Sequence, residues 1–257
     1  MRYVKILVAL LAAGALLLLA GCGNTPSQES ASSALSSPSL WYMSQYPAGT
    51  KVAISQILYF SSGKVTAYNT SQNFTYSQVI GKSQQAILTD ALSMDKSQFE
   101  KSVQSDVSYF DQVISSQKSI IQEANVAMGA SSAQGNAAAR ESQISNAQAA
   151  IEAAQKSIAN VQAAAFQAPS PVPYTLSGST LSFSAPEASG GQAASSCTQS
   201  ISCSAVLSSP YKDQQFSFSL SPAPVVQAEG KSFSGFRVGV GSSATYLQTE
   251  ADKQFEL

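Results

Sequence analysis

Few side chains in this sequence are equipped for covalent or acid–base chemistry, because it contains no histidine. Without imidazole the commonest general acid/base is missing, and with it every Ser-His and Cys-His nucleophile arrangement. Carboxylates and lysines are left to act alone. Ser-x-x-Lys, the spacing used by some serine acylases, occurs at Ser61/Lys64, Ser93/Lys96, Ser115/Lys118 and Ser209/Lys212. Serine supplies nearly a fifth of the chain, so such matches arise by chance, and no Ser-Asp-Asn or Lys-Thr-Gly accompanies them. Glu250 and Asp252, like Asp106 and Asp111, are carboxylate pairs without calcium-loop spacing and read as solvated charge. Gly239-Val240-Gly241 lacks the third glycine and the following helix of a phosphate cradle, and reads as a strand end. No catalytic residue, metal site or cofactor is expected, and the chain reads as a non-enzyme.

The cysteines carry the clearest chemistry. Arg2 and Lys5 open the chain, an apolar run extends from Ile6 to Ala20, and Leu19-Ala20-Gly21-Cys22 closes it. The run is shorter than the roughly 20 apolar residues of an ordinary spanning helix. It resembles the signal and lipobox of bacterial lipoproteins, over residues 1–22 only. That resemblance implies cleavage before Cys22 and acylation of Cys22, so that membrane lipid is the first partner. Gly23 stands where the family's inner-membrane retention signal usually has Asp, which favours the outer membrane, facing the periplasm. Several acyl chains at about 0.8 kcal/mol per buried methylene make such an attachment stable. Cys197 and Cys203 are then the remaining thiols, outside the cytoplasm, and a disulfide between them is expected. Loop closure would contribute roughly 2 kcal/mol. A metal pair is the alternative, although neither a histidine nor a second cysteine pair exists to complete four zinc ligands.

Composition sets the surface. Charged residues make up 11% of the chain and the net charge is −1, against a usual charged fraction of about 25%. Hydroxyls and amides therefore do most of the solvating. No basic stripe tracks a phosphate backbone, so nucleic acid is not an expected partner.

The elements that would position these residues follow from pattern. After the signal peptide at 1–21, residues 22–38 are polar, small and unpatterned and read as the lipidated cysteine with a flexible tether. Residues 39–82 read as the N-terminal β part of a body, with Ile57-Leu58-Tyr59-Phe60, a Ser62-Gly63 turn and Val65-Thr66-Ala67-Tyr68 forming a hairpin. Trp41, Tyr42 and Tyr46 read as its first packing layer, with a lipid interface or a glycan strand as alternatives. Residues 83–167 are helical. A short helix is expected over 83–92, and Asp95 with Gln98, or Ser97 with Glu100, offers a capping box for a long one. Val103, Val107, Phe110, Ile114, Gln117, Ile121, Ala124 and Met128 then form one heptad seam. After a break at 129–136, Ile144, Ala147, Ile151, Ala154, Ile158, Val161 and Ala165 form a second of matching length. The economical reading is an antiparallel coiled-coil hairpin, with a globular bundle or intermolecular assembly as alternatives. Pro169, Pro171 and Pro173 end the helices, and residues 168–257 alternate as half-buried strands. The fold expected is α+β, a β-rich sheet or sandwich with an inserted coiled-coil helical hairpin.

Lipobox, strands, helical hairpin and strands in that order resemble periplasmic adaptor (membrane fusion) proteins. Gln85-Ala86-Ile87-Leu88-Thr89-Asp90 and Ala168-Pro169 carry the resemblance, over about residues 50–175, while Ser170-Pro171-Val172-Pro173 replaces the family's glycine. It implies paired half-barrels at the hairpin base and a role in efflux or secretion. The residues themselves lead to a non-catalytic envelope lipoprotein with a structural or protein-interaction role. Its hairpin tip, Ser131 and Gln134, would contact an envelope protein or a second copy.

Overall fold

A computed structural model of the chain describes residues 28–129, 136–188, 209–239 and 245–257. In chain order the elements are β1 (Gln28–Ser30), α1 (Ala31–Ser36), β2 (Ser39–Ser44), β3 (Ile54–Ser61), β4 (Lys64–Asn69), α2 (Gln84–Gly129) and α3 (Ala137–Ala163). There follow β5 (Val172–Ser177), β6 (Thr180–Ala188), β7 (Tyr211–Ala228), β8 (Lys231–Val238), β9 (Thr245–Glu250) and β10 (Gln254–Glu256).

The expected sheet or sandwich is corrected to a closed barrel. Strands β2 to β9 pair antiparallel in sequence order, and β9 returns to β2 through Tyr42↔Gln248, Met43↔Leu247 and Ser44↔Tyr246. Closure gives each barrel strand a strand neighbour on both sides, which a sandwich does not do for its edge strands. The half-polar alternation seen in the sequence serves the closed form equally well, with one side of each strand turned to the barrel interior. Trp41, Leu58, Phe60, Leu181, Phe236 and Leu247 are fully buried there, and Trp41 stacks on Phe236 at 5.7 Å and 15°. The interior is therefore packed solid. β7 serves two neighbours: its first half pairs with β6 and its second with β8, with a register shift between Ala223 and Val226 beside Pro222 and Pro224. The β4–β5 seam is the shortest, two residue pairs, Lys64↔Pro173 and Val65↔Val172.

One end of the barrel is stoppered by residues expected to be tether. Residues 28–38 are not a free linker: β1 pairs parallel with β10, and α1 drops Ala31, Ala34 and Leu35 into the interior core. Phe255 of β10 completes the stopper against Trp41, ring centroids 5.2 Å apart. The Ser30 hydroxyl caps α1 by accepting the Ser33 N–H at 3.2 Å, and the Tyr174 hydroxyl donates to the Leu35 carbonyl at 2.9 Å. A short apolar helix among serines is stabilised here by burial, which polarity averaged over the segment conceals.

A second core lies on the outer wall. Leu40, Tyr42, Ile54 and Ile57 face away from the interior and are covered by Phe74, Tyr76, Val79 and the start of α2 at Ile87 and Ala91. α2 is one helix of 46 residues, not a short helix followed by a long one, because no Gly or Pro interrupts it. The matched coiled coil is corrected as well. α3 has 27 residues, and its buried line is Ala147, Ala150, Ala153, Ala154, Ser157 and Val161, rotated from the expected seam. On α2 the buried line beyond Ala91 is Phe99, Ser102, Asp106, Phe110 and Ala124. On α3 alanines take the contact, facing a mixed line of aromatic and small or polar residues on α2, and the β-branched residues other than Val161 are displaced to the flanks. The strands on either side of the helices belong to one barrel, in place of the paired half-barrels that the adaptor resemblance implies.

Candidate functional site

The helices form an arm whose root is fixed to the barrel and whose farther length, among the described residues, packs chiefly on itself. Ile87 and Ala91 bind the first turns of α2 to the barrel wall. Farther along, α2 packs chiefly on α3. At 1.5 Å per residue, the 27 residues of α3 span about 40 Å. Val103, Val107, Val113, Ile114, Ile120 and Ile121 of α2, and Ile144, Ile151 and Ile158 of α3, remain half-buried along the flanks. Near the far end Val126 is 71% exposed and Met128 37%. That end is held together by Arg140, whose guanidinium donates to the Ala127 carbonyl in the last turns of α2.

At the arm's root is a cleft of about 340 Å³. Its floor is the end of β4, and its walls are α2, the 166–170 connection and the facing ends of β6 and β7. The Asp95 carboxylate accepts the Asn69 backbone N–H at 3.0 Å, and the Gln98 amide donates to the Thr70 carbonyl at 3.1 Å. These two residues, spaced like a capping box, instead satisfy backbone groups left over where β4 ends. Burial pushes the Asp95 carboxyl above its usual value, and the two hydrogen bonds from Asn69 pull it partly back. Phe99 lies flat on Tyr211 at 5.1 Å and 11°, with Phe166 tilted against it at 5.8 Å. The Tyr211 hydroxyl accepts the Gln167 N–H at 2.7 Å, and burial raises its pKa. Among the described residues the cleft is thus an aromatic wall, one carboxylate and several amides and hydroxyls, without a cationic side chain. Comparison with protein-family models, curated proteins and solved structures gives no significant match. The site must therefore be read from its own chemistry.

Of the residues singled out from sequence, Cys22, Cys197, Cys203, Ser131 and Gln134 lie outside the described residues. The Ser-x-x-Lys matches are scattered. Ser61 and Lys64 flank the β3–β4 turn, the pairs at 93/96 and 115/118 lie on α2, and the Ser209 hydroxyl accepts the Tyr211 N–H at 3.1 Å. Glu250 pairs with Lys231 at 2.6 Å, whereas Asp106 is buried in the arm and Asp111 is exposed. Trp41 is fully buried and Tyr42 nearly so, leaving Tyr46 exposed. Among the described residues no group of three or more Cys, Asp or Glu side chains could hold a metal ion. Apart from the capping-box spacing of Asp95 and Gln98, the cleft residues carried no signal in the sequence, because 69, 95–99, 166 and 211 become neighbours only through barrel closure and the return of the arm.

Proposed function

We propose that this chain is a non-catalytic cell-envelope lipoprotein, lipid-anchored through Cys22 in the outer membrane and facing the periplasm, that engages a protein partner through its helical arm. The observation that carries the reading is the arm's own packing. The helix contact, lined by alanines on α3 and by Phe99, Ser102, Asp106 and Phe110 on α2, leaves rows of Val and Ile half-covered on both flanks. A third helix, or a second copy of the arm, would cover such rows by ridge-into-groove packing. The lipobox supports the address, and the chain's lack of histidine supports a role other than catalysis. The stopper and the arm's root lie at opposite ends of β2, β3 and β4: α1 enters at Ser39, beside the β3–β4 turn, and α2 leaves after Asn69. An anchor at Cys22, six residues before Gln28, would reach at most about 20 Å, so the arm would extend away from the membrane that holds the barrel.

Photo-crosslinkers placed in the native host at Val126, Ser131 and Gln134 test this. Capture of one protein species, lost when Ile114 and Ile121 are both changed to Ser, is the expected result. Capture of an outer-membrane channel or an inner-membrane transporter would make the role that of an adaptor. Absence of any protein adduct, together with an unchanged envelope after replacing residues 103–161 by a short Gly-Ser link, would overturn the proposal.

A further inference from the structure

The cleft at the arm's root has a chemistry of its own, independent of what the arm touches. Among the described residues its wall contains no Lys or Arg, so a phosphate or carboxylate entering it would lose water without meeting a counter-charge there. Its single carboxylate, Asp95, is already engaged by Asn69, and one occupied carboxylate does not supply the six or so oxygens that a hard cation takes. What remains is neutral and two-way in hydrogen bonding: the amides of Gln72, Gln98 and Gln167 and the hydroxyls of Ser55 and Ser170. Beside them are the half-buried rings of Phe166 and Tyr211. A pyranose ring has the matching surfaces. Its rim of hydroxyls both donates and accepts, and its C–H faces pack on aromatic rings. A volume of about 340 Å³ stands at the low end of small-molecule sites, which suits one or two sugar rings.

We propose that the cleft between barrel and arm binds a neutral mono- or disaccharide unit, packed against Phe166 and Tyr211 and hydrogen-bonded by the surrounding amides. The test uses the full mature chain in a zwitterionic, sugar-free detergent, with cellobiose, maltose and N,N′-diacetylchitobiose as probes in saturation-transfer NMR and calorimetry. At least one probe is expected to bind with a Kd between about 0.1 and 1 mM. Phe166→Ala should weaken it about three- to tenfold, an aromatic contact of the usual strength. Gln72→Ala, at an exposed position, should weaken it about threefold and keeps the test open if the first variant does not fold. The proposal is overturned if no probe binds at about 10 mM, if both variants bind as the parent does, or if inorganic phosphate or choline is preferred over all three sugars.

Discussion

Gly235 is the position at which one methyl group should undo the barrel. It sits in β8 opposite Gln248 of β9 with φ +157°. A Cβ there would stand 2.1 Å from the Leu247 carbonyl oxygen, 2.9 Å from the Gln248 Cα and 3.0 Å from the Leu247 carbonyl carbon. All three atoms are backbone, so no rotamer change relieves the contact. The strands must part by about 1 Å to restore van der Waals distance, and near-optimal dispersion contacts lose a quarter to a half of their energy at such gaps. Two weakened ladder bonds at about 1 kcal/mol each, with a loosened seam beside Phe236 and Leu247, put Gly235→Ala at about 4 kcal/mol. For a folded unit of this size that is a fall in Tm of roughly 10 °C. Gly230→Ala is the matched control. Its φ is +77° and nothing lies within 4 Å of its new Cβ, so it carries only the left-handed penalty, about 1 kcal/mol. Urea and thermal denaturation of both variants, followed by near-ultraviolet circular dichroism from Trp41, measure the difference. Equal destabilisation of the two would refute the clash argument, because only conformational strain would then be acting.

Leu35→Ala should cost about 3 kcal/mol although the residue lies in a serine-rich segment, since its side chain is fully buried in the barrel core; a loss below about 0.5 kcal/mol in chemical denaturation would mean that α1 does not stopper the barrel. Tyr174→Phe removes the donor to the Leu35 carbonyl and is expected to cost about 1 kcal/mol by the same measurement. Asp95 titrates above its usual value of 3.8 because of burial, so its protonated form is favoured by folding. The stability it contributes is present below pH 3.8 and is lost as pH rises through the raised folded value. Asp95→Asn should therefore raise the denaturation midpoint relative to the parent at pH 7 and not at pH 3, and the opposite ordering would show that the ionised carboxylate is stabilised by its Asn69 partners. Ala154→Leu forces a large side chain into the close helix contact and should loosen the arm by about 2 kcal/mol, visible as faster amide exchange in α3 with the barrel amides unchanged.

Strand positions were legible in the sequence because alternation reports that one side of a strand is buried. It does not report what buries it. Leu181-Ser182-Phe183 reads the same whether its apolar side meets a second sheet or the inside of a barrel, and the decision rests on Tyr42 meeting Gln248, some 200 residues apart. The helices were legible as helices, but their heptads misled about which side faces inward. Hydrophobic periodicity marks the bulky stripe, whereas on α3 the contact was taken by alanines, with the isoleucines half-buried beside them. Asp95 and Gln98 matched a helix start, yet the absence of any breaker between Leu92 and Asp95 lets the helix run through, and their side chains turn to the orphaned backbone of residues 69 and 70. The stopper was missed because five serines, Gln28 and Glu29 outweighed one leucine and two alanines in any average over residues 28–38. Beyond Asp95 and Gln98, the cleft had no local signature.

The arm is rooted between β4 and β5, and this seam holds the barrel with two residue pairs, one of them to a proline that has no N–H to give. Mechanically, a sideways load at the far end of a 40 Å rod is multiplied at its root into a torque across the least-bonded joint of an otherwise continuous hoop. The first hydrogen bonds to shear would be those of the Val65↔Val172 pair, followed by the one the Tyr174 N–H donates to the Gly63 carbonyl at 3.4 Å. Whatever pulls on the arm is thereby coupled to an unzipping line in the barrel wall that runs to the stopper, because Tyr174 donates its N–H across the joint to Gly63 and its hydroxyl to the Leu35 carbonyl.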